Sequence, residues 1–171
     1  HTRTRLTTCE TSLSINAMEN DMHSSLTIAN RFWDLAQDAR AQLTPMQMLK
    51  LVFLAHGWML GLHGRPLIRD RIEAWKYGPV IPTLYHEIKA YRGSPIRSRL
   101  AAPRTDRISG DADDIISQVF EIYGDWSGPE LSQLTHERDS PWDQVFDEVD
   151  WGQIIPTGVI RNYYEQLARS K

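Results

Sequence analysis

The stretch from Thr44 to Gly64 limits how this chain can fold more than any other. Thr44, Pro45 and Gln47 spell a helix start: a capping hydroxyl, a proline at the first helical position and a glutamine three residues on. Met48, Leu49, Leu51, Val52, Leu54, Ala55, Trp58, Met59 and Leu62 then put apolar side chains on nearly every side of the helix, and Gly64 with Pro66 stops it. A helix that is apolar all round has to be covered, so the other segments are expected to form its shell. Gln47, Lys50 and His56 interrupt the run 46–62, which is also shorter than the ~20 residues a bilayer demands. The pattern predicts a buried central helix and no membrane span.

Around it, three- and four-residue periodicity predicts further helices. Ile28, Phe32, Leu35, Ala36 and Ala39 fall on one face of the first, with Arg31, Asp34, Gln37 and Asp38 on the wet side. Residues 72–77 read as extended, punctuated by Gly78 and Pro79, and Pro82 starts a helix that reaches Tyr91 before Gly93. Residues 97–110 show no period and are expected to be a loop. Ile115, Ile116, Val119, Phe120 and Tyr123 mark a helix with Asp111 or Asp113 as its cap. Ser127 with Glu130 forms a second capping box, Ser140 with Pro141 opens a short helix, and Ile160, Tyr163, Tyr164 and Leu167 mark the last one. The expected fold is mainly α: a compact single-domain helical arrangement around one apolar central helix, with a short extended segment or small β-hairpin near 68–80. Residues 1–21 carry no sustained apolar stretch and are expected to be a flexible or appended tail, Met18 and Met22 both being suitable starts. The domain then spans 22–171.

A formal charge of −3 and a pI of about 6.1 leave no general positive excess for a phosphate backbone. Nucleic acid is a disfavoured partner, with Arg92, Arg97, Arg99, Arg104 and Arg107 the best local cluster that could still bind it. Cys9 is the single cysteine, which rules out an internal disulfide and a thiolate metal cluster and suits a reducing cytoplasm.

The usual catalytic signatures are absent. His56 and His63 stand seven apart on one helix, roughly 10 Å at ~1.5 Å rise per residue, too far to share a zinc by themselves. His86 beside Glu87 and His136 beside Glu137 point in different directions on a helix. A fold-assembled cluster of His56, Glu73 and His136 is the remaining acid–base candidate, set against a polar network that fixes the extended segment to the central helix. No glycine-rich phosphate cradle and no Gly-x-Ser-x-Gly elbow occur. The run Trp75, Lys76, Tyr77, Gly78, Pro79 stands out instead, because large rings on a proline-stiffened loop present contact area at low entropic cost. Against this stands an architectural reading in which Trp75 plugs the core while Gly78 and Pro79 make the turn.

Three blocks together, 48–61 (MLKLVFLAHGWMLG), 72–91 (IEAWKYGPVIPTLYHEIKAY) and 131–142 (LSQLTHERDSPW), resemble the Panacea-type antitoxin domain family. The resemblance covers about 140 residues, and its pattern falls on Lys50, His56, Gly57, Trp58, Glu73, Trp75, Tyr77, Gly78, Pro79, Pro82, Tyr85, His136, Pro141 and Trp142. It departs at Val52, Phe53 and Leu54, where a tyrosine-bearing stretch is expected. The resemblance implies a non-enzymatic, cofactor-free antitoxin of a toxin–antitoxin system, of a kind also found in phages. Such a protein neutralises a cognate toxin, encoded by a neighbouring gene, by direct protein–protein binding. Expected contact or motif-core residues are Trp75, Lys76, Tyr77, Tyr85, Glu73, His56, His136 and Trp142, with no metal site. A DNA-binding autoregulator using the arginine loop, a protease-delivery adaptor and an uncharacterised hydrolase are the alternatives.

Overall fold

A computed structural model describes residues 22–108 and 110–170; the expected tail, with Cys9 and Met18, lies outside them. The central helix, α2 (Pro45–His63), starts and stops where expected. The Thr44 hydroxyl accepts from Gln47 N at 3.4 Å while the Gln47 amide oxygen accepts from Thr44 N at 2.8 Å, and Gly64 closes the helix at φ 70°. Leu51, Val52, Phe53 and Ala55 are fully enclosed. Two positions escape: Trp58 is half-buried and Leu62 is exposed.

Among the described residues the shell consists of six further helices. In α1 (Ser25–Asp38), capped by the Ser24 hydroxyl, Ile28, Phe32 and Ala36 are buried, whereas Ala39 falls at the C-cap and is exposed. After a hairpin come α3 (Pro82–Ile88) and a 3₁₀ turn, Lys89–Tyr91. Asp111 and Asp113 lie inside the first turn of α4 (Gly110–Tyr123) and do not cap it. They bind Arg65 at 2.5 Å and Arg31 at 2.6 Å, placing negative charge at the positive end of the helix dipole. The remaining helices are α5 (Gly128–Thr135), with the expected Ser127–Glu130 capping box, α6 (Pro141–Val145) and α7 (Thr157–Arg169).

Helix α7 makes the most extensive helix contact with α2, and two glycines allow it. A Cβ at Gly57 would lie 2.4 Å from the Tyr164 ring, and one at Gly61 2.7 Å from the Tyr164 backbone. The buried Tyr164 ring fills the gap and meets Trp58 edge-on at 5.2 Å. Strands β1 (Glu73–Trp75), β2 (Gly78–Val80) and β3 (Gln153–Ile154) form a small antiparallel sheet in the order β2-β1-β3. The extended piece near 68–80 is therefore a hairpin. Its third strand comes from near the chain end and carries no local signal.

Candidate functional site: an aromatic groove beside the hairpin

Burial alternates along β1. Ala74 faces the core at 0% exposure, while Glu73 and Trp75 lie on the other face. Trp75 is therefore not the core plug. The turn also differs from expectation: Lys76 and Tyr77 form it, and Gly78 and Pro79 belong to β2 with Trp75 opposite Gly78. Proline is tolerated there because β2 is an edge strand and Ala74, its partner, sends its carbonyl to Gly152 N on the β3 side.

Three carbonyls of this hairpin are held by side chains from three different helices. Trp142 of α6 donates its indole N–H to the Trp75 carbonyl at 2.5 Å, and Ser132 of α5 donates to the Tyr77 carbonyl at 2.5 Å. Lys50 of α2 donates from Nζ to the Pro79 carbonyl at 2.8 Å. Gly78 makes room for this last contact, since a Cβ there would sit 2.9 Å from Lys50 Nζ and its φ of +119° excludes most side chains. The three sequence blocks thus converge on one turn. Lys50 is 3% exposed, and burial lowers its pKa to about 7.

The clamped turn forms one side of a groove of about 1090 Å³. Trp75 meets Tyr85 edge-on at 5.1 Å and Trp151 at 5.7 Å; across from them Trp142 stacks on Phe146 at 4.5 Å and 18°. Met46, Leu49 and Val80 complete the apolar lining, and Lys50 lies within it. Of the exposed large apolar side chains among the described residues, Tyr77 (65%), Trp151 (59%) and Met46 line the groove, and Val149 lies between the lining residues Glu148 and Trp151. Ile154 pairs with Glu73 on the outer face of the sheet, and Leu62 and Ile122 lie outside the groove. Lys76, Lys89 and Arg92 bring positive charge to it, against Glu148 alone.

The expected site residues divide into two groups. Trp75, Lys76, Tyr77, Tyr85 and Trp142 line the groove. His56, Glu73 and His136 hold the surroundings and are not joined to one another. His56 is buried in α2, where Nδ1 accepts from Leu67 N and Ile68 N at 3.2 Å each, so its proton sits on Nε2; burial lowers its pKa to about 4. Glu73 accepts from Trp75 Nε1 at 3.4 Å and from Arg71 at 3.0 Å, which fixes the indole. His136 ends α5, donating from Nδ1 to the Ser132 carbonyl, with its ring 5.3 Å from Trp142. The arginine cluster is not one surface: Arg99 is engaged by Asp34 and Arg92 belongs to the groove. Among the described residues, no group of three or more His, Cys, Asp or Glu could hold a metal ion, and no helix is long and apolar enough to cross a membrane.

Lys50 was legible as a cation interrupting a largely apolar helix and as a position of the resemblance. Phe146, Glu148 and Trp151 had no such signal: Phe146 enters the groove as the C-cap of α6, and the segment that follows has no periodicity and runs into β3.

The family profile described as "Antitoxin SocA-like, Panacea domain" matches residues 48–143, which contain all three clamps. A relative named Antitoxin SocA, from Caulobacter vibrioides (strain NA1000 / CB15N), is 31% identical over 129 residues, covering 69% of this chain and 68% of its own. The chain belongs to the SocA-like Panacea family. No solved structure matches it significantly. Membership in the Panacea family suggests an antitoxin role, with a toxin as the general class of partner, and a non-enzymatic one. Within the Panacea match lie Lys50, the hairpin, Ser132 and Trp142; the outer wall of the groove, Phe146 to Trp151, lies beyond it.

Proposed function

We propose that this chain is the antitoxin of a toxin–antitoxin pair and neutralises a cognate toxin, encoded by a neighbouring gene, by direct stoichiometric binding in the aromatic groove. The observation that carries this reading is the concentration of exposed aromatic surface at a turn that three helices hold rigid. A rigid aromatic patch loses little entropy on binding, and Trp and Tyr anchors dominate protein–protein contact energies. Trp75, Tyr77, Tyr85, Trp142 and Lys76 make the contact. His56, Glu73 and His136 support it without touching the partner. Inhibition by occupancy needs no acid–base pair, in keeping with the separate engagements of these three groups.

The test is co-expression with the adjacent gene product. Protection of the host and a complex that co-elutes on size exclusion are expected, and Tyr77→Ala with Trp151→Ala should weaken both while the melting temperature holds. A neighbouring product that is harmless alone and does not co-purify overturns the reading.

A further inference from the structure

We infer that the partner segment seated in the groove is acidic as well as apolar: large hydrophobic side chains flanked by carboxylates, one of which meets Lys50 at the groove's inner end. This rests on the groove being the partner site; in that reading the segment belongs to the toxin.

Charge distribution is the first support. The chain as a whole has 22 acidic and 19 basic side chains, yet the groove carries Lys50, Lys76, Lys89 and Arg92 against Glu148. Elsewhere several arginines are matched within the protein: Arg31 with Asp113, Arg71 with Glu73, Arg99 with Asp34 and Arg161 with Glu165. Others, Arg97 and Arg104 among them, also lack an ion pair among the described residues but do not line the groove. Among the described residues Lys76, Lys89 and Arg92 have no carboxylate in ion-pair range. Lys76 lies over the Tyr77 ring at 5.4 Å and Lys89 is 3.4 Å from His86 Nδ1, so neither contact neutralises its charge. This local positive excess favours a partner of opposite charge, which gives electrostatic selection at the encounter step.

Lys50 is the second support. Its side chain lines the groove at 3% exposure and its Nζ hydrogen-bonds one carbonyl, while an ammonium has three N–H donors. A carboxylate brought in among aromatic walls would complete its coordination where water is excluded and the attraction is strong. Burial has already lowered its affinity for a proton, and an arriving carboxylate would reverse that. A neutral or basic apolar segment would leave this group without a counter-charge.

The probe is a display library of random peptides of about twelve residues, selected on the whole chain, because such a length can carry anchors and flanks together. Selected sequences should be enriched in both Asp or Glu and Phe, Leu or Trp. Their affinity, read by fluorescence of the groove tryptophans and by calorimetry, should drop about tenfold or more in Lys50→Met and in Lys89→Glu/Arg92→Glu. A second selection on the charge-reversed variant should yield basic sequences. Recovery of no binders, of neutral or basic binders from the wild-type chain, or of acidic binders indifferent to both variants overturns the inference. The antitoxin reading fails separately: a toxin that the charge-reversed variant neutralises as well as wild type defeats this inference alone, whereas a wild-type chain that protects against no neighbouring product defeats the antitoxin reading alone.

Discussion

Lys50 donates to the carbonyl of Pro79 across 2.8 Å, tying the central helix to an edge strand through a cation almost entirely removed from water. The carbonyl is available because, among the described residues, β2 has no further strand beside it. The bond satisfies the acceptor, and desolvation penalises the donor's charge.

That penalty has a pH signature. The folded pKa of about 7 lies below the ordinary 10.5, so between these values the unfolded chain holds a proton that the folded chain lacks. Stability contributed through this group therefore rises as pH rises from about 7 toward 10.5, and below about 7 the cost is full and constant. Chemical denaturation of wild type and Lys50→Met across this range should show the upward slope in wild type only. Equal slopes would show that Lys50 keeps its charge in the fold.

His56 acts at the acid end. Its folded pKa of about 4 lies below the ordinary 6.5, so on acidification the unfolded chain protonates first. Stability should fall as pH drops from 6.5 to about 4 and then level off in this contribution. His56→Gln, whose amide oxygen can still accept a backbone N–H, should flatten that limb. A wild-type acid limb retained in the variant would assign the loss to other groups, Asp106 foremost, whose carboxylate is stabilised by His23, Thr27 and Ser24 N.

The contact between α2 and α7 yields a steric prediction. Alanine at position 61 gains about 1 kcal/mol of helix propensity over glycine, but its Cβ would meet the Tyr164 backbone at 2.7 Å. Backbone cannot rotate away, so Gly61→Ala should cost about 1–3 kcal/mol net, read from the urea midpoint. Phe53→Ala, at 0% exposure, should cost about 3–5 kcal/mol, and Trp58→Ala, half-buried, clearly less. A neutral Gly61→Ala would mean that α7 sits farther from α2.

Which features were legible follows from the range of the forces behind them. Capping boxes at Thr44 and Ser127 and the apolar periodicities are local, and the helices they announce are present. The hairpin was legible as extended chain, but the Gly78-Pro79 pair looked like a turn. Its true cause is tertiary: Gly78 clears space for Lys50, and Pro79 tolerates an edge. Whether Trp75 plugs the core or presents a contact surface was not legible from its apolar indole, and strand alternation decides it by turning Ala74 to the core. The far end of the outer wall, at Trp151, adjoins β3, whose two residues pair with Glu73 and Ala74 from some eighty positions away, and no local pattern encodes such a pairing.

The last prediction concerns Glu73 and His136, which acid–base chemistry would choose and which here do structural work. Glu73→Gln keeps an amide oxygen for the Trp75 N–H and loses only an ion pair to an exposed Arg71, so it should cost under about 1 kcal/mol. His136→Gln retains a donor for the Ser132 carbonyl and should cost about 1 kcal/mol, chiefly through the Trp142 contact. A protein that works by occupancy has no turnover to lose, so protection by either variant should track the molar ratio to the toxin as wild type does. Raising the dose should offset any small loss of fold. A group exchanging a proton in a transition state contributes about a hundredfold or more, and modest overexpression does not restore it. Full protection by substoichiometric wild-type chain, abolished by His136→Gln with an unchanged melt, would replace occupancy with catalysis.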